Sequence, residues 1–198
     1  MLLALTGGAA TGKSTFRRLL AERRPFEVFD ADKCVHELLA SDTEIIVAVA
    51  REFGEGALDV SGAADRAALR RLVFADRQAR QRLEAILHPA VRARWQQALS
   101  SCQAKECDFL ADIPLLYETS TEGYFDAVTV VAASPAAQRE RLAGRGLDSG
   151  TIEAMLASQL PIGEKMSRAS AVVWNDGTLG ALARQADLLL ERLFSPQS

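Results

Sequence analysis

The strongest constraint on this chain lies in its first fifteen residues: an apolar run, a glycine-rich turn and the opening of a helix. Leu2-Leu3-Ala4-Leu5 predicts a short buried strand, continuously apolar and stopped by glycines. Gly7-Gly8-Ala9-Ala10-Thr11-Gly12-Lys13-Ser14 fits G-x-x-x-x-G-K-[ST], the phosphate loop. Small residues let successive main-chain amides turn inward around phosphate oxygens. A helix opening near Lys13 adds the positive end of its dipole, and Lys13 adds a full charge that can reach the β- and γ-phosphates. Ser14 would then ligate the Mg²⁺ that bridges those phosphates. Phe16, Leu19 and Leu20 follow at helical spacing, so both flanks that such a loop needs are present. An ordinary glycine-rich turn would leave Gly12-Lys13-Ser14 unexplained.

The rest of the composition narrows the class. The 198 residues suffice for one sizeable core carrying small insertions, with 48% hydrophobic and 25% charged residues. A net charge of −3 gives no basic field for nucleic acid, and the apolar runs are too short to span a membrane. The loop stands so close to Met1 that a cleaved leader would remove it. Cys34, Cys102 and Cys107 show neither zinc-ligand spacing nor a disulfide framework, so a reducing cytoplasm is the expected home. Basic residues are overwhelmingly Arg; the lysines are Lys13, Lys33, Lys105 and Lys165, which sets the loop lysine apart.

A helix from about Lys13 to Arg24 should end before Pro25, and Phe26 to Phe29 predicts a second strand. Asp30 and Asp32 follow; on an extended segment residues i and i+2 point the same way, toward the ligand edge of a parallel sheet. Asp30 can cap the next helix or order the loop, and Asp32 is the candidate facing the phosphates. From Lys33 to about Cys107 helical patterns fill an interval too long for one strand crossover, which predicts a helical insert between the second and third strands. Within it, Ser41-Asp42-Thr43-Glu44 reads as a capping box. Leu83, Leu87, Val91, Trp95 and Leu99 mark one helix face, on which Pro89 either kinks the helix or restarts it.

Asp108 to Asp112 predicts the third strand, with Asp112 either an acid near Mg²⁺ or a strand-terminal turn acid. Ile113 to Glu118 reads as an apolar loop and helix start. Ala127 to Ala132 is the fourth strand, and Ser134-Pro135 open a helix with Ser as cap. Gln138, Arg141 and Arg145 share a helical face, and Gly144, Gly146 and Gly150 loosen the turn into a helix over Thr151 to Gln159. That pair reads as a lid closing over phosphates, or as a surface hairpin with solvated arginines. Ala171 to Trp174 is the fifth strand, and a helix near Leu179 to Leu193 packs back on the sheet.

Taken together these motifs resemble the dephospho-coenzyme A kinases. The resemblance runs from Leu5-Thr6-Gly7-Gly8 and Gly12-Lys13-Ser14-Thr15 through Asp30-Ala31-Asp32, Leu83-Glu84-x-Ile86-Leu87-His88-Pro89 and Asp112-Ile113-Pro114-Leu115-Leu116-Tyr117-Glu118. Gln138-x-x-Arg141-Leu142-x-x-Arg145, Gln159 and Asn175 complete it. It implies a P-loop NTPase fold of the α/β class: a five-stranded parallel sheet flanked by helices, a helical substrate-binding insert and a two-helix lid. Residues 1–32, 107–134 and 170–198 would form the nucleotide-binding core, 33–106 the acceptor-binding insert and 135–169 the lid.

The resemblance also implies transfer of the ATP γ-phosphoryl group to the ribose 3′-hydroxyl of dephospho-CoA, with Mg²⁺. Gly7, Gly8, Ala9, Ala10, Thr11, Gly12, Lys13, Ser14 and Thr15 would hold ATP, with Ser14 on the metal and Asn175 near the adenine. Asp32 would orient or deprotonate the attacking hydroxyl. His88, Arg92, Asp112, Pro114, Leu115, Leu116 and Glu118 would line the acceptor side, with Arg141 and Arg145 closing from the lid. The expected partners are small molecules, the chain a monomer or weak homo-oligomer. Two positions depart from the family pattern: Ala10 stands where Gly is usual, so it must avoid positive φ or tolerate strain, and Ser170 stands where Asp is usual. Rival readings are another small-molecule kinase of the phosphate-loop class, acting on a nucleoside, nucleotide or shikimate-like alcohol, a GTP switch, and a catalytically dead nucleotide-binding module. Against the switch, the chain lacks N-K-x-D.

Overall fold

The computed structural model describes residues 1–195; the last three residues of the expected core segment 170–198 lie outside the described residues. Five strands form one sheet in the order β2-β3-β1-β4-β5: β1 Leu2–Gly7, β2 Phe26–Asp30, β3 Asp108–Asp112, β4 Ala127–Ala132 and β5 Ala171–Trp174. β1 is central and parallel to both neighbours, Leu5 lying beside Asp112 on one side and Thr129 on the other. β4 and β5 are also parallel, Ala132 beside Trp174. β1 and β4 are buried almost throughout, as continuous apolar runs in a sheet covered on both faces must be.

Helix α1 (Lys13–Arg23) packs on α9 (Leu179–Phe194) and on the sheet. Their apolar faces meet in a core of Leu3, Leu5, Phe16, Leu20, Leu110 and Leu182, among others. The chain divides into two compact units, one of residues 1–29 with those from 102 on, the other Asp30–Ser101. The second holds α2 (Ala31–Ser41), α3 (Thr43–Phe53), α4 (Arg66–Ala75) and most of α5 (Arg77–Ala104), with buried Leu38, Val49, Leu69 and Trp95. In the first unit, α6 (Pro135–Ala143), α7 (Ser149–Ala157) and α8 (Ile162–Ser167) lie between β4 and β5.

Several sequence expectations change. Helix α2 starts at Ala31, so Asp32 sits in a first helical turn and does not share a strand face with Asp30. Asp30 is the cap, accepting from the Lys33 amide at 3.0 Å. Asp42, not Ser41, caps α3 by accepting from the Ile45 amide; Ser41 is still the last residue of α2. Helix α5 runs 28 residues with Pro89 inside it and does not restart there. Ile113 to Ser120 forms turns with no helix start. Cys102 and Cys107 are joined by a disulfide, contrary to the expectation of unpaired thiols. A tight turn explains it: the Cys107 amide donates to the Cys102 carbonyl at 3.0 Å and the Cα atoms approach to 5.2 Å, within bridging range. The argument for a reducing compartment from cysteine usage therefore lapses.

Candidate functional site

The loop leaving β1 owes its shape to contacts from three directions. Gly12 precedes α1 at φ 90°, in the left-handed region, and a Cβ there would collide with the Asn175 side-chain amide. Asn175, just past β5, donates from Nδ2 to the Thr11 carbonyl at 2.8 Å. Arg141 on α6 donates to the Ala10 carbonyl at 3.2 Å and to the Asn175 carbonyl at 2.6 Å. Thr11 turns its hydroxyl onto the Gly8 carbonyl at 3.0 Å. Gln138, buried on α6, donates to the Ala133 carbonyl and sets its side-chain oxygen against Gly8. Ala10 does not avoid positive φ; it sits at 55°. A Cβ in that region costs about 1–2 kcal/mol, and the Arg141 and Asn175 clamps hold the loop in it.

Lys13 opens α1 and is buried, its ammonium ion-paired to Asp112 at the end of β3. Arg17, one turn along α1, lies 3.6 Å from the other Asp112 oxygen. Asp112 is thus a buried, charge-paired acid rather than a solvated turn acid. No side chain caps α1, because Gly12 has none, so the first helical amides are left for an acceptor from outside the helix. A phosphate suits this cradle. A divalent cation suits it only together with phosphate: Ser14 offers one exposed hydroxyl, and among the described residues no cluster of His, Cys, Asp and Glu could hold a metal alone. A cavity of about 210 Å³ opens beside Gly8 and Ala9, walled by Pro135, Gln138, Leu156 and Pro161.

The segment after β3 is also tied down. Pro114 turns its carbonyl to the Thr6 hydroxyl at 3.0 Å and to the Lys165 ammonium at 2.9 Å. Leu116 is buried and Leu115 half-buried. Glu118, expected on the acceptor side, accepts from Lys165 at 2.9 Å and from the Leu160 amide at 2.9 Å. Lys165 is wholly buried on α8, and burial pushes its ammonium below the ordinary lysine range, with Glu118 opposing. Sequence reading missed both α8 and Lys165; the signal was a lysine in a chain that uses arginine nearly everywhere.

The other expected residues are placed as follows. Arg145 is exposed and beyond the end of α6, so it does not continue the face of Gln138 and Arg141. Asp32 is exposed on α2. His88 is half-buried and Arg92 exposed, four residues apart on α5 and so on one face of it. Ser170 bonds to the start of β4: its hydroxyl accepts from the Val128 amide at 3.1 Å while its own amide donates to the Val128 carbonyl at 2.9 Å.

Residues 1–181 match the family model described as dephospho-CoA kinase. A dephospho-CoA kinase of Anaeromyxobacter dehalogenans is 48% identical over 195 residues, covering 97% of this chain and 92% of the relative. A crystal structure from Thermus thermophilus superposes with TM-score 0.78 at 33% identity, covering 98% of each chain. The Campylobacter jejuni dephospho-CoA kinase, at 24% identity and TM-score 0.66, shares the fold.

Proposed function

The chain belongs to the dephospho-CoA kinase family, and from that premise we propose how its residues divide the work of the reaction. The enzyme is an ATP-dependent phosphotransferase that converts dephospho-CoA and ATP into coenzyme A and ADP, the last step of coenzyme A biosynthesis. The observation that carries the assignment is a family match spanning residues 1–181, which takes in the loop, the insert and the α6–α8 segment together.

Phosphoryl transfer asks a protein mainly for positioning and charge stabilisation. The amides of Gly7 to Thr15 and the first turn of α1 bind the ATP phosphates. Lys13 exchanges its partner Asp112 for phosphate oxygens and balances charge developing on the transferred group. The Ser14 hydroxyl would hold Mg²⁺ together with the phosphates, and the metal would supply Lewis-acid charge neutralisation there. Asp112 then accepts from water or the acceptor, still oriented by Arg17. Arg141 holds the loop through the Ala10 carbonyl and adds positive charge beside it, while Asn175 fixes the loop from the adenine side. Arg145, between Gly144 and Gly146 on the turn after α6, reaches the nucleotide when residues 135–169 act as a lid. Asp32 orients or deprotonates the 3′-hydroxyl, and its exposure suits a group that must meet a substrate. His88 and Arg92, sharing a face of α5, take the anionic acceptor. The helical insert 33–106 holds the acceptor and residues 1–32, 107–134 and 170–198 hold the nucleotide. We place the enzyme in the cytoplasm as a monomer or weak homo-oligomer; among the described residues no helix is long and apolar enough to cross a membrane.

A coupled assay with purified protein, Mg²⁺, ATP and a panel of acceptors tests the assignment. Dephospho-CoA should be the preferred acceptor. Preference for a nucleoside, or GTP hydrolysis without acceptor, would overturn it.

A further inference from the structure

Lysine is rarely buried completely, because its ammonium loses hydration that few interiors replace. Lys165 is 0% exposed, and its replacement partners come from two separate segments, the end of β1 and the turn after β3. It donates to the Pro114 carbonyl and to Glu118 at 2.9 Å each, and lies 3.5 Å from the Gly7 carbonyl. Gly7 begins the phosphate loop, Pro114 belongs to the segment that continues from Asp112, and Glu118 also receives the Leu160 amide, where the chain returns from α7. Thr6, the residue before the loop, donates to the same Pro114 carbonyl at 3.0 Å. One ammonium therefore gathers the start of the nucleotide loop, the acid-bearing segment after β3 and the exit of the α6–α7 hairpin.

A structural ion pair on a surface would not need this convergence, and a buried pair kept for stability alone is a poor device. Replacing such a pair by apolar residues of similar volume is often neutral or stabilising, whereas breaking it on one side is strongly destabilising. What the pair provides is fixed relative position. Accordingly we propose that Lys165 and Glu118 are positioning residues of the phosphoryl transfer: they set the Pro114 segment, and through it Asp112, against the loop that carries Lys13. Glu118 thereby serves as a strut through the oxygen that Lys165 and the Leu160 amide share. The inference rests on the kinase assignment above and adds two residues to its machinery.

The test removes both charges together, so that neither is left buried and unpaired. In Lys165→Met/Glu118→Gln, ATP affinity and melting temperature should stay near those of the parent while kcat for dephospho-CoA falls about 10²-fold, the scale of an ångström-level misplacement. The single Lys165→Met should lose stability as well, and adding Glu118→Gln should restore stability without restoring kcat. A folded double variant with parental kcat overturns the inference. If the double variant does not fold, the near-isosteric Thr6→Val, which deletes one donor to the Pro114 carbonyl, decides: kcat should fall about fivefold with ATP affinity kept. Unchanged kcat there overturns the inference too. Parental turnover of dephospho-CoA is the internal control. Its absence would sink the kinase assignment itself, whereas parental turnover matched by the variants would sink only the strut.

Discussion

In the loop-bearing unit most of the candidate side chains are held by protein partners, although Ser14 and Arg145 are exposed. Lys13, Asp112, Asn175 and Lys165 are buried, Arg141 is half-buried, and each is fixed by partners from other elements. On the insert, Asp32 and Arg92 are exposed on helices and His88 is half-buried. The difference follows the chemistry. On the proposed roles, charge that develops in the transition state meets groups already desolvated and held by neighbours, with Lys13 trading its partner Asp112 for phosphate. An acceptor as long as dephospho-CoA must enter, turn over and leave, which suits solvated side chains on helical faces.

The sharpest way to break this comparison is Lys13→Ala. It should lower kcat about 10³-fold and weaken ATP binding, and it removes the ammonium that pairs with buried Asp112, so thermal stability should drop too. Normal ATP affinity and turnover, read by calorimetry and the coupled assay, would remove the loop from the mechanism. Asp32→Asn comes next. On an exposed helical turn it should leave folding and ATP affinity unchanged while kcat falls about 10²-fold or more. Parental kcat would take Asp32 out of the reaction. Arg92→Ala should raise KM for dephospho-CoA about tenfold with KM for ATP unchanged, the signature of lost acceptor binding. A change in ATP KM alone would put Arg92 on the wrong substrate.

A pH experiment probes the loop-bearing unit. Lys165 has a folded-state pKa below its unfolded one, so between the two values the unfolded chain binds more protons and stability rises with pH. Denaturation midpoints should therefore climb toward alkaline pH in the parent relative to Lys165→Met/Glu118→Gln; parallel profiles would mean that burial does not depress this ammonium. The smallest effect is Ala10→Gly. Relief of the positive φ, offset by greater freedom of the unfolded chain, should stabilise the protein by about 0.5–1 kcal/mol, read as a rise of about 1–4 °C in melting temperature. A lower melting temperature would show that the left-handed alanine carries no strain.

Sequence patterns carried most of the scaffold because the relevant signals are local. β4 and β5 were legible as apolar runs with turn residues at their ends, and Ser134-Pro135 announced α6. The capping of α3 was ambiguous between adjacent residues: Ser41 and Asp42 are both good caps, and which one is used depends on where α2 ends. Pro89 could have broken α5, but its ring is tolerated inside a helix long enough to absorb one missing amide bond. Helix α8 is only six residues, too short for a periodic signal, so Lys165 stayed hidden. Arg145 fell on a correct helical spacing that the backbone abandons at Gly144. The roles of Arg141 and Asn175 in shaping the loop depend on contacts 131 and 164 residues away in the chain, which no local pattern encodes.

The left-handed turn at Ala10 has one more consequence. Its own residue does not favour that shape; Arg141 and Asn175 impose it from the far end of the chain. An excised peptide of Gly7 to Thr15, or the same nine residues grafted onto a foreign strand–helix junction, would carry the motif without its curvature. The grip proposed for this loop is therefore a property of the assembled sheet, so transplanting it means transplanting its guy-ropes as well.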